Sequence, residues 1–121
     1  MTPKAFHAAA MALPGATFDI KWGADRVYSV GGKMFAAAGA EGDANARYSF
    51  KTSDMGFEML TEQGIARPAP YLARAKWVQL LKKDSLPDAD LVAYLKEAHS
   101  IVADRLTKTV KAEVGVLRPS F

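Results

Sequence analysis

The chain of 121 residues has no cysteine, two histidines and no long apolar run. The lack of cysteine excludes a disulfide framework, a thiolate metal site and a cysteine nucleophile. No segment approaches the ~18 apolar residues of a membrane span, and the start of the chain lacks the basic and apolar blocks of a secretory signal. We therefore expect a single domain over residues 1–121, located in the cytoplasm and without a membrane partner.

Residue patterns that support catalysis or metal binding are also scarce. His7 and His99 fall on different predicted helices, so they offer no pair of metal ligands. We expect His7 to be solvated and His99 to lie on a helix face near a neighbouring side chain. No Gly-x-Ser-x-Gly turn occurs, and Gly31-Gly32-Lys33-Met34 lacks the hydroxyl residue and glycine spacing of a phosphate-binding loop. The sequence predicts no enzyme, no metal, no cofactor and no catalytic residue.

The spacing of apolar residues predicts an α+β fold in which helices flank an antiparallel sheet. Thr2-Pro3 begins a first helix that Pro14-Gly15 ends, and Ser53 begins a second helix that Gly64 ends. Strands are predicted at 17–20, 26–30, 33–38, 47–51 and 77–81, and a last helix at 87–108. Residues 109–121 contain glycine and proline and are expected to form an extended or frayed tail.

Two central glycines predict a tight hairpin between the second and third strands. Gly31-Gly32 supplies the positive φ angles of a two-residue turn, which pairs Val30 with Lys33. An uninterrupted register then gives the pairs Ser29/Met34, Tyr28/Phe35, Val27/Ala36 and Arg26/Ala37. The strand aromatics Trp22, Phe35, Phe50 and Trp77 are expected to lie mostly in the core.

The net charge of +3 conceals a local asymmetry, because residues 63–83 carry five basic side chains and no acid. These five are Arg67, Arg74, Lys76, Lys82 and Lys83, and the rest of the chain sums to −2. Tyr71 and Trp77 lie in the same segment. Positive charge with interspersed aromatics suits phosphate contact and base stacking, whereas the structural alternative is a core tryptophan beside a solvated sheet edge.

Three blocks of the sequence carry a resemblance to a known family. They are Lys21-Trp22-Gly23, Val27-x-x-Val30-Gly31-Gly32-Lys33-Met34-Phe35-Ala36 and Pro68-Ala69-Pro70-Tyr71-Leu72-Ala73-Arg74-Ala75-Lys76-Trp77-Val78. Together they resemble the MmcQ/YjbR family of small bacterial proteins. The resemblance implies the order α-β(3)-α-β(2)-α, in a sandwich like those of secretion chaperones and frataxin, and DNA binding through a double-wing arrangement. The residue pattern alone places four strands before the second helix and one after it.

Two features adjust what the resemblance implies. Lys76 stands where many relatives carry histidine, and a lysine favours electrostatic contact over general-base chemistry. The first helix contains no acid, which argues against a frataxin-like iron role.

The leading hypothesis is a non-catalytic DNA-binding protein that contacts phosphates through its hairpin and connector. Its predicted nucleic-acid-binding residues are Lys33, Arg67, Tyr71, Arg74 and Lys76. One alternative is a protein-interaction or chaperone-like module that binds a protein partner and no nucleic acid. Another is a small-molecule pocket around Lys33, Tyr48 and Tyr71. Under each of these hypotheses we expect a monomer or a weak homodimer.

Overall fold

Four helices and six strands make up the fold in a computed structural model that describes residues 1–40, 42, 43, 47–70 and 72–117. In chain order they are α1 (Pro3–Met11), β1 (Ala16–Lys21), β2 (Asp25–Val30), β3 (Lys33–Ala38), β4 (Tyr48–Lys51), α2 (Asp54–Glu62), β5 (Ala66–Pro68), β6 (Trp77–Leu80), α3 (Asp88–Asp104) and α4 (Lys108–Glu113). The strands form one antiparallel sheet in the order β1-β2-β3-β4-β6-β5. The predicted α+β class with flanking helices is confirmed.

The strand count combines both sequence-based expectations. Four strands precede α2, as the residue pattern predicts, where the resemblance implies three. Two strands follow α2, as the resemblance implies, where the pattern predicts one. The additional strand is β5, whose Pro68 biases Arg67 towards extended backbone. A proline is tolerated there because β5 is an edge strand, which pairs only with β6 and has no neighbour on its other side to which a backbone N–H must donate.

The predicted caps define the first two helices. The Thr2 hydroxyl accepts a hydrogen bond from the Ala5 backbone N–H at 3.1 Å, and the Ser53 hydroxyl accepts one from the Gly56 N–H at 3.0 Å. Beyond α2, Gly64 adopts a φ of +71°, which lets the chain turn away from the helix axis.

The core lies between the helices and one face of the sheet. Phe6 of α1 stacks on Tyr48 with ring centroids 4.2 Å apart, and Phe35 and Phe50 are fully buried beside them. Trp77 is also buried, but it lies outside this core cluster. The core assignment of the strand aromatics is therefore confirmed for Phe35 and Phe50, and Trp77 is buried elsewhere.

A β-bulge interrupts the predicted hairpin register. The pairs Val30/Lys33 and Ser29/Met34 form as expected, but Tyr28 then pairs with Ala36. Phe35 is the extra residue, so the predicted pairs Tyr28/Phe35, Val27/Ala36 and Arg26/Ala37 are wrong by one position. The insertion breaks the alternation of the strand, and Phe35 and Ala36 both reach the core. The register was not predictable because residues 34–38 of β3 are all apolar, so no polar residue marks which side chains face solvent.

The C-terminal segment differs from its prediction as well. Helix α3 ends at Asp104, and residues 108–113 form α4 where an extended or frayed tail was expected. The Thr107 hydroxyl starts α4 by accepting a hydrogen bond from the Val110 N–H at 3.2 Å. Half-buried Leu106 and Val114 pack against the core and supply the apolar contact that holds the short helix in place. Residues 118–121 lie outside the described part of the chain.

The hairpin turn gives a matched test of the contact with α4. Gly31 and Gly32 both have positive φ, but a methyl group at Gly31 would lie 2.6 Å from Leu106 Cδ1 and 2.9 Å from Val110 Cγ1. A methyl group at Gly32 would meet no described atom within 4 Å. We expect each alanine substitution to cost about 1 kcal/mol in backbone strain, and Gly31→Ala to cost about 1–3 kcal/mol more from overpacking. Urea denaturation measures both losses of stability. Equal losses would show that the side chains of Leu106 and Val110 move aside and do not constrain the turn.

Candidate functional site

Three adjoining clefts lie along the face of the sheet opposite the core, and the first of them extends beyond the sheet to Val102 of α3 and to Leu106. Alternation along β4 and β6 turns Tyr48, Phe50, Val78 and Leu80 into the core. The intervening residues, Ser49, Lys51, Trp77 and Gln79, line the clefts of the other face. Neighbouring clefts share lining residues, so they form a continuous concave surface.

The first of these, the cationic cleft, has a volume of about 450 Å³. It is lined by Gly32, Lys33, Met34, Lys51, Ala75, Trp77, Val102, Arg105 and Leu106. The hairpin turn contributes Lys33, β4 contributes Lys51, and Arg105 follows the last residue of α3. Of the lining residues that the structure describes, three are cationic and none is acidic.

Lys51 is the buried charge of the cationic cleft, with only 6% of its surface exposed. Its Nζ donates a hydrogen bond to the Ala75 carbonyl oxygen. Burial lowers the pKa of Lys51 from its ordinary value, and the positive charges of Arg105 and Lys76 lower that pKa further, against the opposing effect of Asp54. A bound anion would relieve this repulsion.

The lowered pKa of Lys51 predicts a pH-dependent contribution to stability. At a pH below its folded pKa the side chain is charged in both states, and burial destabilises the folded one. Between that pKa and its ordinary value of 10.5 the unfolded chain binds more protons, so the free energy of unfolding rises with pH. We expect the stability of the native protein, relative to Lys51→Met, to increase as the pH rises towards the ordinary pKa of 10.5, as measured by urea denaturation at a series of alkaline pH values.

Comparison with Lys51→Met isolates this contribution. Burial raises the pKa of Tyr28, Tyr48 and Tyr94, which lowers stability above about pH 10 in both proteins and so cancels in the difference. Lys33→Met removes an exposed charge from the same cleft and serves as the control. A difference between native protein and Lys51→Met that stays constant with pH would contradict the lowered pKa.

Lys76 lies behind the cationic cleft and does not line it. Its backbone is left-handed, with φ of +60°, and its carbonyl oxygen accepts hydrogen bonds from the Thr52 N–H at 2.9 Å and the Thr52 hydroxyl at 2.7 Å. Its Nζ lies 4.9 Å from the centre of the Phe57 ring, a cation–π contact. Lys76 thus links the connector to α2. Its positive charge acts on the cationic cleft only by lowering the pKa of Lys51.

The second cleft, the tryptophan cleft, has a volume of about 570 Å³ and shares Met34 and Trp77 with the cationic cleft. Its lining is mostly apolar: Trp22, Met34, Ala37, Ala69, Pro70, Leu72 and Trp77, with Asp25, Ser49 and Gln79 as the polar members. Trp22 lies in the β1–β2 turn with φ of +53°, and 64% of its surface is exposed. The expectation that most strand aromatics are core residues therefore fails for Trp22.

The third cleft, the arginine cleft, has a volume of about 290 Å³. Its lining includes Arg47, Arg67, Asp25 and Gln79. The Arg67 guanidinium donates two hydrogen bonds to the Gln79 side-chain carbonyl, from Nε at 3.0 Å and from Nη2 at 2.6 Å. Arg67 therefore orients the Gln79 amide, which also faces the tryptophan cleft.

The structure distributes the predicted binding residues over different surfaces. Lys33 lines the cationic cleft, and Arg67 lines the arginine cleft. Arg74 is exposed on the 3₁₀ turn Ala73–Ala75 and lines none of the three clefts among the described residues, and Lys76 contacts Phe57. Tyr71 lies outside the described residues. Tyr48 is buried in the core against Phe6, whereas Lys33 lines the cationic cleft, so the predicted pocket that combines them is wrong.

Two cations that line the clefts, Arg47 and Arg105, are not among the binding residues predicted from the sequence. Arg105 follows a long helix and Arg47 precedes a short strand, and each reaches its cleft only through the tertiary fold. Lys51 carries a weak signal in the sequence. Its alternation with Phe50 places it on the face opposite the core, where a lysine normally meets solvent.

The histidines lie away from the three clefts. His7 Nδ1 lies 2.9 Å from the Tyr28 hydroxyl oxygen, and His99 Nε2 lies 2.6 Å from the Pro14 carbonyl oxygen. His7 is half-buried among aromatic rings, so its expected solvated position is wrong. Within the described ranges, no group of three or more acidic or histidine side chains could hold a metal ion, and no helix is long and apolar enough to cross a membrane.

Comparisons with known proteins support the fold. The family model described as YjbR matches residues 11–101. A crystal structure of the Deinococcus radiodurans protein DR2400, a protein with a DUF419 domain, superposes with a TM-score of 0.80. The two are 22% identical, and the match covers 96% of this chain and 88% of the other. No curated protein matches the sequence.

Proposed function

Because the chain belongs to the YjbR family and three cations converge on one cleft beside its sheet, we propose that it is a non-catalytic DNA-binding protein. The observation that carries the proposal is the convergence of Lys33, Lys51 and Arg105 on the cationic cleft, with no acid among its described lining residues. Such a cleft concentrates positive potential where a phosphate oxygen can accept several charge-assisted hydrogen bonds.

The three side chains would divide the contact between them. Lys33 and Arg105 are exposed and free to adjust, so they suit successive phosphates along a strand. Lys51 is held by the Ala75 carbonyl in a partly desolvated position, where attraction to an anion is stronger than in bulk water. The arginine cleft, at the other end of the same concave surface, adds the charges of Arg47 and Arg67 but also that of Asp25, so it attracts phosphate less strongly than the cationic cleft.

Binding of this kind is expected to depend steeply on salt. Each neutralised phosphate contributes a slope of about 0.9 on duplex DNA and about 0.7 on single strands, so three contacts give about 2.7 and about 2.1. Between 50 and 200 mM salt the affinity should then fall about 40-fold on a duplex and about 20-fold on a single strand. Fluorescence anisotropy with labelled duplex and single-stranded DNA measures the affinity at each salt concentration. The absence of binding at low micromolar protein and low salt would overturn the proposal.

A further inference from the structure

Trp22, in the β1–β2 turn, has a conformation and an exposure that the fold alone does not explain. A bulky side chain at a φ of +53° carries backbone strain, and this one leaves 64% of its surface exposed instead of burying it. Both features are unfavourable in the free protein, and neither the core nor a described hydrogen bond compensates them. Trp22 nevertheless lines the tryptophan cleft, together with Ala69, Pro70 and Leu72 of the connector.

The tryptophan cleft and the cationic cleft differ in charge, so they favour different parts of one ligand. The tryptophan cleft contains the Asp25 carboxylate, which repels a phosphate and can accept a hydrogen bond from an amino or imide group. The cationic cleft next to it attracts the phosphate instead. Met34 and Trp77 line both clefts, so one ligand can occupy the two at once. The matching ligand has an anionic backbone and a flat, neutral, hydrogen-bonding base.

We infer that the tryptophan cleft is a base-binding subsite for single-stranded nucleic acid, an inference that rests on the proposed function. The unpaired base stacks on the Trp22 indole, while its phosphate lies in the cationic cleft. Gln79 accepts two hydrogen bonds from Arg67 and donates one to the Ser49 hydroxyl, which leaves one amide N–H for the edge of the base, beside Asp25 in the lining of the same cleft. A volume of about 570 Å³ accommodates a base with part of its sugar. A paired base in a duplex cannot enter this cleft.

Two oligomers of equal charge separate base binding from phosphate binding. The probes are an oligothymidylate of about twelve nucleotides, an abasic deoxyribose-phosphate oligomer of the same length, and the matching duplex. We expect the oligothymidylate to bind about tenfold more tightly than the abasic oligomer, and to quench the fluorescence of Trp22. The chain has two tryptophans, so Trp77→Phe leaves Trp22 as the sole emitter. Should Trp77→Phe fold poorly, the difference between native protein and Trp22→Ala gives the same signal.

Trp22→Ala should lower the affinity for the oligothymidylate to that of the abasic oligomer and leave the abasic affinity unchanged. Equal affinity of the native protein for both oligomers, or equal quenching by the duplex, would overturn the base subsite and leave phosphate binding in place. If no probe binds, the proposed function fails and the subsite fails with it.

Discussion

Replacing Trp77 with alanine is expected to lower the free energy of unfolding by about 3–5 kcal/mol, the range for a buried large aromatic side chain. Trp77 is 4% exposed, and it forms a common wall of the cationic and tryptophan clefts. The substitution removes contacts that the surrounding sheet cannot replace by collapsing, because β6 is paired on both sides by β4 and β5. Urea denaturation of the native protein and of Trp77→Ala measures the loss.

Trp77→Phe is the matched control, since it keeps an aromatic ring and most of the buried apolar surface. We expect a smaller loss, about 1–2 kcal/mol, because a smaller cavity remains. Almost no loss in Trp77→Ala would show that the indole is not part of the packed structure. Its place in the wall of the clefts would then be that of an exposed ligand platform.

Much of the fold could be predicted from local signals. Thr2 and Ser53 cap their helices, and Gly31-Gly32 forms the turn, because these choices depend on hydrogen bonds within a few residues. The inserted Phe35 could not be foreseen, since the sequence around it is apolar on both faces. Helix α4 was missed for a related reason. Six residues are too few to predict a helix from propensity, and its stability comes from packing of the adjoining residues on the core.

The candidate site was predictable only in part, because a cleft depends on which elements meet in space. Lys33 was identified from the hairpin turn, and Arg67 from the basic connector. The count of charges along residues 63–83 gave equal weight to Arg74 and Lys76, which the fold directs elsewhere. Arg105 is separated from Lys33 by 72 residues, so no spacing rule connects them.

Removal of all three charges of the cationic cleft is expected to abolish most of the salt dependence of DNA binding. The triple variant Lys33→Ala, Lys51→Met, Arg105→Gln should reduce the slope of log affinity against log salt by about 2.7 on duplex DNA. At 50 mM salt this corresponds to a loss of affinity of at least tenfold, because a major share of the binding free energy comes from counterion release. Anisotropy titrations over a range of salt concentrations give both quantities.

Loss of positive charge anywhere in the protein would also weaken DNA binding. A second triple variant distinguishes this general effect from the loss of contacts in the cationic cleft. Lys4→Ala, Lys82→Ala and Lys96→Ala remove the same charge from exposed residues that line none of the three clefts. If phosphates occupy the cationic cleft, this control keeps nearly the native slope, since distant exposed charges are screened within about 10 Å at 0.1 M salt. Equal losses in both triple variants would instead mean that DNA responds to total charge, and the cleft would have no special part in binding.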